Sequence, residues 1–121
     1  MATYIEVNGN RYPASITGRI NDKDWNNRES KAIKLEMAYS DAVNTFVDDV
    51  DWCIIQEHDV THVEIDEEGK EVVVNKTEEE VYDNSDYSIA GDVIDHRDGT
   101  VTVKMGKATA EELLAILEEV L

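Results

Sequence analysis

Apolar residues in this chain recur at every second position in run after run, and short turn signals separate the runs. That period is the signature of half-buried strands, and it points to an antiparallel sheet as the frame of the fold. Tyr4–Val7 reads as extended, "NGN" at 8–10 as a tight hairpin turn, and Arg11 onward as the returning strand. Ile16, Gly18 and Ile20 share one face of a strand, and Ile33, Leu35 and Met37 share one face of the next. "WCIIQ" at 52–56 reads as a short apolar strand, "THVEID" alternates into the turn "EEGK", and "EVVVN" completes a second hairpin. From Tyr87 the segments "YSIAGDVID" and "TVTVKM" flank "HRDG", where Asp98 and Gly99 are expected to supply positive φ.

Two segments break this period. In "YSDAVNTFVDDV" the residues Ala42, Val43, Phe46 and Val47 fall at helical spacing, which predicts a helix over 40–48 with Ser40 as its N-cap. Asp48, Asp49 and Asp51 sit at the wrong end for the helix dipole and are expected to terminate it. In "ATAEELLAILEEVL", Thr109 and Glu112 have the spacing of a capping box, and Leu113, Leu114, Leu117, Val120 and Leu121 form an apolar stripe. Such a stripe is expected to cover the domain's own sheet, with a subunit contact as the alternative. The fold class is therefore α+β, mostly β. It is a small antiparallel sheet or partly closed barrel of six to eight strands, with a short central helix and a C-terminal helix.

At 121 residues the chain is one domain, 1–121, with material for a single core. Its 28 acidic and 11 basic residues leave a net charge of −17. Nucleic acid is excluded as a ligand, because neutralising phosphates needs clustered Lys and Arg, and anionic membrane surfaces are disfavoured. The charge is uneven. Residues 57–86 hold 12 acidic side chains against Lys70 and Lys76, so this hairpin carries −10 of the total and is expected to protrude. Glu67, Glu68, Glu78, Glu79 and Glu80 form its candidate acidic surface. "MATYIEVNGN" has neither a basic start nor an apolar run, so no signal peptide is expected. Cys53, the sole cysteine, lies in an apolar stretch and reads as a small buried hydrophobe.

No catalytic, cofactor or metal site is expected. His58 and His62 share a strand face but stand ~13 Å apart at strand rise, too far for one metal ion. "NDKD" at 21–24 and "DDVD" at 48–51 lack the glycine-centred calcium-loop pattern. The six glycines read as turn residues rather than a phosphate loop, and the chain reads as a non-enzyme.

Trp25 stands apart, a large ring in "NDKDWNNRES", the most polar part of a loop of roughly ten residues. Either it folds back as a lid over the sheet, or it is an exposed anchor for a partner. The lid is preferred, because an ordered polar loop needs an apolar anchor. Asp22, Asp24, Asn26, Asn27 and Arg28 are then expected near solvent. Asp22, Asp24, Trp25 and Arg28 form the candidate partner contact.

The segments "YIEVNGNRYPASITGRINDKDWNNRESKAIKLEM", "FVDDVDW" and "YDNSDYSIAGDVIDHRDGTVTVKMGK" together resemble a group of small uncharacterised acidic proteins of tailed phages and prophages of Gram-positive gut bacteria. The resemblance implies a phage-encoded protein of the tail or structural gene neighbourhood and carries over no catalytic residue. Two functions follow as expectations. One is a virion or tail-assembly component that contacts phage structural proteins or a second copy of itself. The other is an acidic inhibitor that mimics nucleic acid and occupies a basic host defence protein. Either is expected in the host cytoplasm when expressed, and the first also in the virion.

Overall fold

The computed structural model describes residues 2–120, with side chains described through Glu118. Strands β1 (Thr3–Val7) and β2 (Asn10–Asp22) are joined at Asn8 and Gly9, both at positive φ (53° and 79°), as the primed hairpin turn requires. β3 (Arg28–Glu36) returns along β2. α1 (Tyr39–Thr45) then leads into the long pair β4 (Trp52–Ile65) and β5 (Glu71–Asp83). The hairpin β6 (Ile89–Asp95) and β7 (Thr100–Gly106) follows, and α2 (Ala110–Val120) comes last. The seven strands form one open antiparallel sheet in the order β5-β4-β1-β2-β3-β7-β6.

β2 changes partner midway. Residues 10–13 pair with β1, and from Ala14 onward the strand pairs with β3. The two halves of the sheet share one core, in which Ile5, Val7, Trp52 and Ile54 from one half meet Ile33, Leu35, Val101, Val103 and Met105 from the other. Tyr12, Ala14 and Ile16 alternate along β2 at the bend and pack against this core. Ala42 of α1 and Phe46 just beyond it complete the core, together with Val50 and Tyr87.

Four local expectations are corrected. The loop around Trp25 has only residues 23–27, because the flanking strands run on to Asp22 and resume at Arg28. "WCIIQ" and "THVEID" are one continuous 14-residue strand. α1 begins at Tyr39 behind Ala38, with no side-chain cap from Ser40. In the β6–β7 turn it is Arg97 (φ 60°) and Gly99 (φ 89°) that take positive φ, while Asp98 accepts the Thr100 N–H at 2.9 Å.

Asp48, expected to end the first helix, accepts the Ala90 N–H at 2.9 Å and so ties the end of α1 to β6. Beyond Gln56, which pairs with Thr3, β4 pairs with β5 alone. The acidic hairpin is thus a two-stranded ribbon extending from the sheet. No helix among the described residues is long and apolar enough to cross a membrane.

The largest correction concerns α2. Its Leu113, Leu114, Ile116 and Leu117 are 52–58% exposed, so the stripe does not cover the sheet. Val120's side chain and Leu121 lie outside what is described. The capping box itself forms, with the Thr109 N–H donating to Glu112 Oε1 at 2.9 Å and the Glu112 N–H donating to Thr109 Oγ1 at 3.3 Å.

Candidate functional site

The five-residue β2–β3 loop is closed by its own backbone. The N–H groups of Trp25 and Asn27 donate to the Asp22 carbonyl at 3.0 and 2.9 Å, and the Arg28 N–H donates to the Trp25 carbonyl at 3.1 Å. Asn26 and Asn27 both adopt left-handed φ (56° and 59°), which asparagine tolerates better than most residues. This turn aims the indole of Trp25 back along the outer face of the β3-β7-β6 half.

Two glycines make room for it there. A Cβ on Gly91 would stand 2.7 Å from the Trp25 ring, and one on Gly106 would stand 2.6 Å from Arg28 Cδ and 2.9 Å from the ring. Neither glycine is a turn residue. Both lie within strands, where a missing side chain marks the close approach of another group. The guanidinium of Arg28 lies over the indole, 4.8 Å from the ring centroid.

Asp22 and Arg28 are the second departure from expectation, because neither stays near solvent. Asp22 is fully buried and Arg28 is 5% exposed. Asp22 accepts from Lys104 Nζ at 2.8 Å, from Ser30 Oγ at 2.9 Å and from the Asp24 N–H at 3.2 Å. The Lys104 contact leads in holding its carboxyl below the usual range, against the opposing effect of burial. Arg28 donates to Glu112 as a fork, at 2.8 and 3.3 Å, and to the Lys107 carbonyl at 2.9 Å. Both are structural residues with their charges engaged. Of the four candidate contact residues, Trp25 is half-buried and only Asp24 is exposed.

Arg28 therefore links the indole lid to the first turn of α2. Between them runs a polar cleft of about 750 Å³ bounded by Asn26, Asn27, Glu29, Lys107, Thr109 and Glu112. The Arg28 fork, followed by the Thr109 N–H, is the main reason the Glu112 carboxyl falls to about 2 from its ordinary 4.5. A carboxyl lowered in the folded state adds stability that is complete above its unfolded value and disappears as pH falls through the folded one. The anchorage of α2 is thus expected to hold above about pH 4.5 and to be lost as the pH is taken down towards 2. Amide exchange at Leu113 and Leu114 measures this, and pH-independent protection there over that range would contradict the anchor.

A second charged cluster closes the end of the core around Tyr87. Lys31 and Lys107 lie 4.4 and 4.8 Å from its ring centroid, and its hydroxyl donates to Glu29 Oε2 at 2.6 Å. Burial, followed by the Glu29 contact, pushes the phenol up to about 12. Burial lowers Lys31, whose ammonium donates to Asn84. Lys107 pairs with Glu29 at 2.9 Å and Asp86 at 3.1 Å. These groups satisfy one another.

The candidate acidic surface does not come together as one patch. Glu78 and Glu80 share a face of β5 and lie against His62 (3.1 Å) and His58 (3.6 Å). Glu79 points to the opposite face and forms a fork with Arg11 at 2.7 and 3.3 Å. Glu67 and Glu68 sit at the far turn, ~30 Å along the ribbon from Glu78 at strand rise. Among the described residues no group of three or more His, Cys, Asp or Glu is placed to hold a metal ion. Cys53 is partly buried, and burial raises its thiol.

No family model, curated protein or solved structure matches this chain. Sequence reasoning had missed Gly91, Gly106, Lys104 and Glu112 as members of this site. The available signal was a pair of glycines inside strand-like runs, which were read as turn residues.

Proposed function

We propose that this chain is a non-enzymatic protein-binding module of a tailed phage or prophage, acting as a virion or tail-assembly component. The observation that carries the reading is the exposed apolar face of α2, held out from a domain whose core, among the described residues, includes none of its side chains. A contiguous exposed apolar face on a helix of so charged a protein marks a place where another protein binds. The phage setting rests on the resemblance of the three quoted segments. Particles purified from an induced lysogen by density gradient and analysed by mass spectrometry provide the test. The chain is expected at a fixed ratio to the major tail proteins, and its absence from intact particles would sink the assembly role.

The alternative, an acidic inhibitor that mimics nucleic acid, is favoured by the ribbon, which carries most of the net charge on two strands with no third neighbour beyond Gln56. It predicts capture of a basic host protein that collapses in high salt and is lost on reversing Glu78 and Glu80 to lysine. Capture that persists in high salt counts against it.

A further inference from the structure

We infer that α2 is a ligand helix for an apolar groove rimmed by lysine or arginine, in a partner protein other than a second copy of this chain. The inference rests on the protein-binding reading above and specifies the chemistry of the partner.

The first ground is the width of the apolar face. At ~100° per residue, Ile116, Leu113, Leu117 and Leu114 span an arc of about 160°. The seam between two paired helices is narrower than that, so a flat helix–helix contact would leave Ile116 or Leu114 in water. A groove with walls on both sides covers the whole arc.

The second ground is charge. On the Leu114 side the arc is bordered by Glu111 and Glu118, and among the described residues neither forms an ion pair. On the Ile116 side it is bordered by Glu112, whose carboxylate is already held by Arg28, and the same period places Glu119 next to Glu112. No lysine or arginine lies within α2 itself. Acidic residues therefore flank the arc on both sides, and a partner that answers them carries cations along its rims.

The same two facts argue against a second copy. Two α2 helices would bring acidic margins together between chains that each carry −17. Eleven residues make a helix only ~16 Å long. Pairing along that length covers roughly half of the ~800 Å² per partner that a stable dimer needs.

The helix is also prepared for docking. Its first turn is fixed by the Thr109–Glu112 box and by the Arg28 fork, and Arg28 is in turn clamped beneath Trp25. A ligand helix held in place before it binds loses less conformational freedom on docking.

The test uses the full chain and a synthetic antiparallel helical hairpin as probe. The hairpin has leucines on its facing positions, so that its two helices form an apolar groove, and lysines along the rims. A matched hairpin carries glutamates on the rims. By fluorescence anisotropy the lysine hairpin is expected to bind, and the glutamate hairpin to bind about tenfold more weakly or less. Leu117→Asp should weaken the lysine hairpin by about tenfold or more without moving the melting temperature. The ribbon variant Glu78→Lys/Glu80→Lys should bind like wild type.

Equal binding of the two hairpins would overturn the inference, as would loss of binding in the ribbon variant with Leu117→Asp unaffected, which would be charge attraction alone. A fall in melting temperature for Leu117→Asp would mean that the helix packs on its own domain. A wild-type dimer that Leu117→Asp converts to monomer would make the second copy the occupant. Should the chain be found in particles while the lysine hairpin fails to bind, the inference falls and the assembly role stands.

Discussion

Replacing Asp22 with alanine is expected to destabilise the chain by roughly 3–5 kcal/mol, the usual cost of breaking a buried ion pair from one side. The carboxylate is fully buried and answers Lys104, Ser30 and the Asp24 N–H at once. Without it Lys104, whose side chain is four-fifths covered, loses its buried partner. Chemical denaturation at neutral pH measures the loss. The companion variant Asp22→Ala/Lys104→Met, which removes both charges, should recover a large part of it. A single variant within about 0.5 kcal/mol of wild type would mean that solvent reaches Lys104 freely and that the pair is not a buried one.

Gly91→Ala and Trp25→Ala should each destabilise the fold, and together they should cost less than the sum of the two. The added methyl at position 91 would fall 2.7 Å from the indole and displace it, an overpacking cost of ~1–3 kcal/mol. Removing the indole uncovers the glycine platform and the face of Arg28, and is expected to cost ~2–4 kcal/mol, somewhat below a fully buried tryptophan because the ring is half-exposed. Once the ring is gone the methyl at 91 loses its two closest contacts and keeps only Lys104 Cβ at 3.1 Å among those nearest it, so the double variant should show a coupling of at least ~1 kcal/mol. Strictly additive losses would show that the ring does not rest on Gly91.

Strand positions were legible in the sequence because alternation and turn chemistry are local properties. The positive φ of Asn8 and Gly9 follows from two letters, and so does the capping box at Thr109. Residues that act across the sheet were not legible in this way. Asp22 looked like one more polar loop residue because Lys104 is 82 positions away. Only the β3–β7 register, with Ser30 opposite Gly106 and Ala32 opposite Lys104, brings that lysine alongside.

Trp25 was half legible. The need for an anchor in a polar loop could be argued from the loop itself, but its seat is formed by glycines from two other strands. The stripe on α2 misled for the opposite reason. Periodicity reveals that an apolar face exists and says nothing about which body covers it. The short connection from β7 and the Arg28 fork direct this helix away from the sheet.

The ribbon of β4 and β5 has a practical consequence. From Glu57 to the turn at Asp66–Gly69 it touches the rest of the chain mainly near its base, through the Glu57 N–H to the Ala2 carbonyl and the fork between Arg11 and Glu79. Its tip therefore stands ~30 Å from the last row shared with β1. Facing residues can be removed or inserted there in sets of two per strand, which keeps each side chain on its own face, whereas a change of one would turn the outer segment over. An epitope, a fluorophore or a biotin acceptor placed at Glu67–Glu68 would sit well clear of the indole seat and of α2, and would give a handle for immobilising the protein with both surfaces free.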